Sequence, residues 1–139
     1  MFILSTKLWE SDRIIKIHCS DNWENPDTYI LTECFLGSLK KLLIEAQNTH
    51  SPAFLLCDCT KGKLPPWQYG LKLAKFMVGI RSIVEEGIEM TIIYTQSQTH
   101  EDWINKILSI YTPARPVHMA KTKKEIKSLL KPSHRAQMV

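Results

Sequence analysis

The chain has 139 residues, of which 44% are hydrophobic and 23% charged, with a formal net charge of +4. That length fits one domain with a proper buried core, and the composition is that of an ordinary globular protein. No apolar run approaches the ~20 residues of a membrane helix, and Met1 to Lys7 lack the basic-then-apolar pattern of a secretion signal, so the expectation is no membrane span and a cytoplasmic, reducing site.

The charge is unevenly placed. Residues 121–139 hold Lys121, Lys123, Lys124, Lys127, Lys131 and Arg135 against Glu125 alone, a net +5, which leaves residues 1–120 at −1. The basic character therefore belongs to the C-terminal segment.

In chain order, Phe2 to Trp9 and Arg13 to His18 read as two short strands joined by a tight turn at Glu10-Ser11-Asp12, an antiparallel hairpin. A polar loop through Asp21, Asn22 and Asn25 follows. The spacing of Leu31, Phe35, Leu39, Leu42, Leu43 and Ala46 predicts a helix over about Tyr29 to Gln47, with Asp27 or Thr28 as its cap and Pro52 barring continuation. Ala53 to Asp58 is an apolar run closed by a single acid, the pattern of a strand buried on both faces. After a loop with Gly62, Pro65 and Pro66, a second helix uses Tyr69, Leu73, Phe76, Met77 and Ile80 as its core stripe. Gly79 can weaken it, so Arg81 to Glu86 could form a separate short piece. Met90 to Thr95 is another buried strand, His100 to Tyr111 a short helix, Val117 to Ala120 a last strand and Lys121 to Leu130 a last helix with Ile126, Leu129 and Leu130 inward.

The order β-β-α-β-α-β-α-β-α predicts an α/β fold: a single domain over residues 1–131, with a mixed, mainly parallel sheet of about five strands and about four helices. Residues 132–139 read as a polar basic tail.

This order, the strand end Asp58-Cys59-Thr60 and the corner Ile110-Tyr111-Thr112-Pro113-Ala114-Arg115-Pro116-Val117 resemble the STAS-like, SpoIIAA-like group of anti-sigma-factor antagonists and their distant relatives, over roughly residues 1–130. The Asp58-Cys59-Thr60 triplet is similar to the Asp-x-Ser/Thr that ends the corresponding strand there. Bacterial members carry a phosphorylatable Ser at the start of the following helix. Here that place reads Leu64-Pro65-Pro66-Trp67-Gln68, with no Ser or Thr between Lys61 and Arg81. The resemblance therefore implies the fold and a regulatory or scaffold role, without the kinase-controlled switch.

Few residues point to chemistry. Asp58 and Thr60 stand at the carboxyl end of a parallel strand, where α/β sheets bind ligands, or they anchor the following loop. Trp67 and Tyr69 open a helix and either mark an interface or cover the core. Cys57 and Cys59 share one strand face and read as small core residues, because Cys-x-Cys in a strand matches no zinc pattern. His18, His50, His100, His118 and His134 have no helical metal spacing, there is no nucleophile elbow, and Lys61-Gly62-Lys63 is not a Walker motif. No catalytic residue, metal or cofactor is assigned, and the expectation is a non-enzyme.

Two classes of function stand open. One is a protein–protein interaction module, a subunit of a larger assembly, using Trp67, Tyr69 and the lysines Lys123, Lys124, Lys127 and Lys131. The other is a domain for a small apolar ligand or lipid. Nucleic-acid association through the basic C-terminal segment is a weaker third. An apolar pocket favours the second class and an exposed aromatic patch the first.

Overall fold

A computed structural model describes residues 1–9, 12–60 and 63–130. The expected tail over 132–139 and Lys131 lie outside the described residues. The elements run β1 (Phe2–Trp9), β2 (Asp12–Cys19), α1 (Thr28–Asn48), β3 (Ala53–Asp58), α2 (Trp67–Gly79), α3 (Arg81–Gly87), β4 (Ile88–Tyr94), α4 (Gln98–Ile110), β5 (Val117–Ala120) and α5 (Lys123–Leu130).

The five strands form one sheet in the order β1-β2-β3-β4-β5. β1 pairs antiparallel with β2, and every later pair is parallel. The α/β mixed sheet expected from the sequence is therefore present, with five helices among the described residues instead of about four. The extra one comes from a break at Ile80, whose ψ of 33° leaves the helical range. α3 restarts at once, with the Ile83 and Val84 amides bonding the Ile80 carbonyl.

The helix cap also differs from expectation. Asp27 occupies the N-cap of α1 without a side-chain bond to it. Thr28 instead donates its hydroxyl to the Asn25 carbonyl at 2.7 Å, so it fixes the preceding loop.

This strand order decides where the helices lie. Each crossover moves to the next strand in one direction, and right-handed crossovers of that kind put their helices on one face. One core accordingly joins Ile15, Ile17 and Leu55 to Leu39 and Leu43 of α1 and to Leu73 and Met77 of α2. Among the described residues the opposite face carries α5, whose Ile126, Leu129 and Leu130 pack on Ile14, Phe54, Leu56, Met90 and Ile92.

Candidate functional site

β3 ends where the sequence places its acid. The Asp58 side chain is buried, and its Oδ1 accepts from the Thr60 amide at 2.9 Å and the Thr60 hydroxyl at 2.5 Å. Oδ2 faces Lys16 Nζ at 3.6 Å, on the α5 side of the sheet. Burial pushes the Asp58 carboxyl up, but the Thr60 hydrogen bonds and the Lys16 charge outweigh it and hold the group below its ordinary 3.8. Such a carboxyl binds fewer protons folded than unfolded, so its contribution is full at neutral pH and is lost as pH falls below about 4. Asp58→Ala, which orphans the Thr60 amide, is expected to cost about 1–3 kcal/mol in a denaturant titration at pH 7, and Asp58→Asn clearly less. Equal stability of wild type and Asp58→Ala would remove the anchoring role.

The other residues singled out from sequence are not brought together. Trp67 is 39% exposed and meets Trp103 edge to face, with centroids 5.7 Å apart. Tyr69 turns the other way, half-buried against Trp23 at 5.5 Å. Lys123, Lys124 and Lys127 are exposed on α5, on the far side of the sheet from both aromatics. His100 uses its Nδ1 at 3.3 Å on the Cys59 carbonyl. A carbonyl only accepts, so Nδ1 carries the proton there. Among the described residues no group of three or more His, Cys, Asp or Glu side chains is arranged to hold a metal ion.

What the fold does assemble is an apolar cavity of about 190 Å³ between the sheet and the α2–α4 pair. Its floor is Leu55 and Cys57 of β3 with Ile93 of β4; its roof includes Leu73 and Met77 of α2 and Ile104 and Ile107 of α4. The space has an identifiable cause. Cys19, Cys57, Cys59, Ala74 and Ala114 are small residues lining it, among Leu, Ile and Met side chains. A sealed void of this size left unfilled would cost on the order of 4–5 kcal/mol at ~24 cal/mol per Å³, less where solvent reaches it. Engineered apolar cavities of about 150 Å³ bind benzene, so this one has room for a slightly larger molecule.

Three of the wall residues are thiols. Burial pushes Cys19 up to about 11 and Cys59 up to about 12, and it drives Cys57 up as well. At neutral pH these thiols are protonated and uncharged; Asp58 and Arg115 also border the cavity, whose exposed wall is otherwise mostly apolar. Cys34, by contrast, is exposed on α1. With iodoacetamide at pH 8, followed by peptide mapping, Cys34 is expected to react at least about tenfold faster than Cys19, Cys57 or Cys59. Comparable rates at all four would contradict this placement.

The cavity residues Gly70, Ala74, Ile107 and Ala114 were not singled out from sequence. The available signal was the small size of Gly70 and Ala74, one helical turn apart on a helix otherwise rich in large apolar residues. No family model, curated protein or solved structure matches the chain.

Proposed function

We propose that this protein is a non-catalytic binding domain that takes a small, uncharged apolar ligand in the cavity between its sheet and α2–α4. The observation that carries this reading is the cavity itself: about 190 Å³, walled mostly by carbon and protonated sulfur, with Asp58 and Arg115 at its border. The relation to the STAS-like, SpoIIAA-like group belongs to the same reading. It is supported by the element order and by the Asp58-to-Thr60 strand end, and some members of that fold group bind apolar ligands. The four free thiols accord with a reducing, cytoplasmic location. Among the described residues no helix is long and apolar enough to cross a membrane.

The test is thermal unfolding in a series of benzene, toluene and naphthalene. A ligand that binds only the native state at 100 times its Kd adds about 2.7 kcal/mol, a shift of several degrees for a domain of this size. No shift with any of the three would reject the reading.

A second reading, docking of a protein partner, is favoured by the first turn of α1. Tyr29 and Ile30 are 61% and 63% exposed there, and Lys72 of α2 stands 4.1 Å over the Tyr29 ring while paired with Glu33. Adjacent exposed apolar side chains beside fixed charges suit the rim of an interface. Under this reading Tyr29→Ser with Ile30→Ser weakens capture of the partner and leaves ligand-induced stabilisation unchanged. Lys123 and Lys124, exposed on α5, suit an acidic partner or nucleic acid, whose mark would be steeply salt-dependent retention.

A further inference from the structure

β1, of eight residues, and β5, of four, form the two edges of the sheet. An edge strand offers unpaired backbone groups, and proteins blunt such edges by short length, proline, bulges or charged side chains. β5 is short. β1 has only Lys7 for this purpose. It contains neither Pro nor Gly, and it pairs residue for residue with β2, from Phe2 opposite Cys19 to Trp9 opposite Asp12, without a bulge. Phe2, Ile3, Thr6 and Trp9 are all residue types that favour strands.

The ladder with β2 shows which backbone groups are left over. The Ser20 amide donates to the Met1 carbonyl at 2.9 Å, and the Met1 amino group donates to the Ser20 carbonyl at 3.4 Å. Met1 and Ser20 thus exchange both bonds, and in an antiparallel ladder such pairs alternate with unbonded ones. Ile3, Ser5, Lys7 and Trp9 therefore turn their amides and carbonyls toward β2. Phe2, Leu4, Thr6 and Leu8 turn theirs outward, where no strand among the described residues meets them. The side chains of this second set lie on the α1 face. Phe2 and Leu4 belong to the core beneath α1, and Leu8 stands opposite Arg13, which bonds Glu45 of α1. Leu8 is 73% exposed, more than any other large apolar side chain among the described residues.

This edge is self-complementary. With a second copy set antiparallel about a two-fold axis at Ser5, Phe2 of each copy faces Leu8 of the other, and Leu4 faces Thr6. Every outward amide and carbonyl of β1 then has a partner. Opposite residues point to the same side of a sheet, so Leu8 of each copy comes beside Phe2 of the other. Phe2 already stacks on Phe35 of α1 at 5.0 Å, so the exposed leucine gains an apolar neighbourhood. Lys7 comes opposite Ile3, and no like charges meet. Moving the axis to Leu4 leaves Leu8 without an opposite residue, and moving it to Thr6 leaves Phe2 without one in the strand.

From this geometry we infer that two copies of the chain pair through their β1 edges, antiparallel and in register about Ser5, into one continuous sheet. A two-fold contact of this kind uses the same surface on both copies and closes on itself, so it yields a dimer and not a fibre. The pairing does not depend on the apolar-ligand reading.

The test is the mass of the full chain by sedimentation equilibrium over about 10–500 µM, because small interfaces are weak ones. Wild type should pass from monomer to dimer in this range. Thr6→Pro deletes an outward amide that β2 does not use, so the monomer should fold and dimerisation should weaken at least about tenfold. Leu8→Glu, at an exposed position, should do the same and serves if the proline variant does not fold. The register is read by oxidation with glutathione disulfide in a Cys34→Ser background, which removes the exposed native thiol. Ser5→Cys should cross-link the two copies, because opposite residues of an unbonded pair have Cα atoms about 4.5 Å apart, within disulfide reach. Lys7→Cys, which opposes Ile3, should not. A wild type that stays monomeric throughout, or a dimer that neither edge variant weakens, would overturn the pairing. Cross-linking through Lys7→Cys and not through Ser5→Cys would overturn the register.

Discussion

Ala74→Leu is expected to abolish binding of benzene-sized apolar ligands while leaving the domain as stable as wild type or more so. Ala74 stands on α2 with its methyl at the cavity wall, one turn after Gly70. Leucine keeps helix propensity and adds three carbons into space that no protein atom occupies. Filling a void commonly adds about 0.5–2 kcal/mol, whereas forcing the same carbons into a packed core costs about 1–3 kcal/mol. The sign of the stability change thus distinguishes a real cavity from a well-packed layer. Binding should fall at least about a hundredfold, since the ligand and the new side chain compete for one volume. Calorimetric titration with toluene and urea unfolding of the same samples check both halves.

Gly87→Ala should be among the most damaging single-methyl changes in the chain. Gly87 closes α3 and is buried against α1, where a Cβ would lie 2.7 Å from the Leu43 carbonyl oxygen. That atom is helix backbone and cannot rotate aside as a side chain can. Either α1 shifts from the sheet or α3 does, and Leu43 itself is fully buried in the larger core. The expected loss is about 2–3 kcal/mol, seen as a lower urea midpoint with unchanged slope. Gly37→Ala is the control: it lies in α1 with nothing near its missing Cβ, so it should stabilise by roughly 0.5–1 kcal/mol. A loss at Gly87 below about 0.5 kcal/mol would mean that α1 and α3 are not in this contact.

The fold was legible because the strands announce themselves. Ala53 to Asp58 and Met90 to Tyr94 are apolar runs of strand length, and both are buried on two faces between helix layers. The helix stripes were legible for the same reason: Leu39, Leu43 and Tyr69, Leu73, Met77 recur at helical spacing and pack where that spacing puts them. The break at Ile80 was visible as a weakness at Gly79, but the choice between a kink and a new helix depended on how tightly α3 meets α1. The Asp27 cap was misleading, because a capping residue type does not ensure a capping rotamer when Thr28 already ties the loop.

The cavity was not legible. A void is set by which large side chains fail to meet across elements distant in sequence. Cys57 read correctly as a small residue on a buried face, but nothing local says that Ala74 will line the same space. Trp67 and Tyr69, two residues apart at one helix start, diverge for a similar reason. Tyr69 is drawn over Trp23, while Trp67 points to α4.

The most direct test of the apolar-ligand reading is a chemical-shift map of the methyl groups on saturating the protein with toluene. The account predicts the largest changes at Leu73, Met77, Ile93, Ile104 and Ile107, around the cavity, with Ile30 on the exposed turn of α1 unmoved. Changes confined to Ile30 and its neighbours, or none at the five cavity residues, would contradict it.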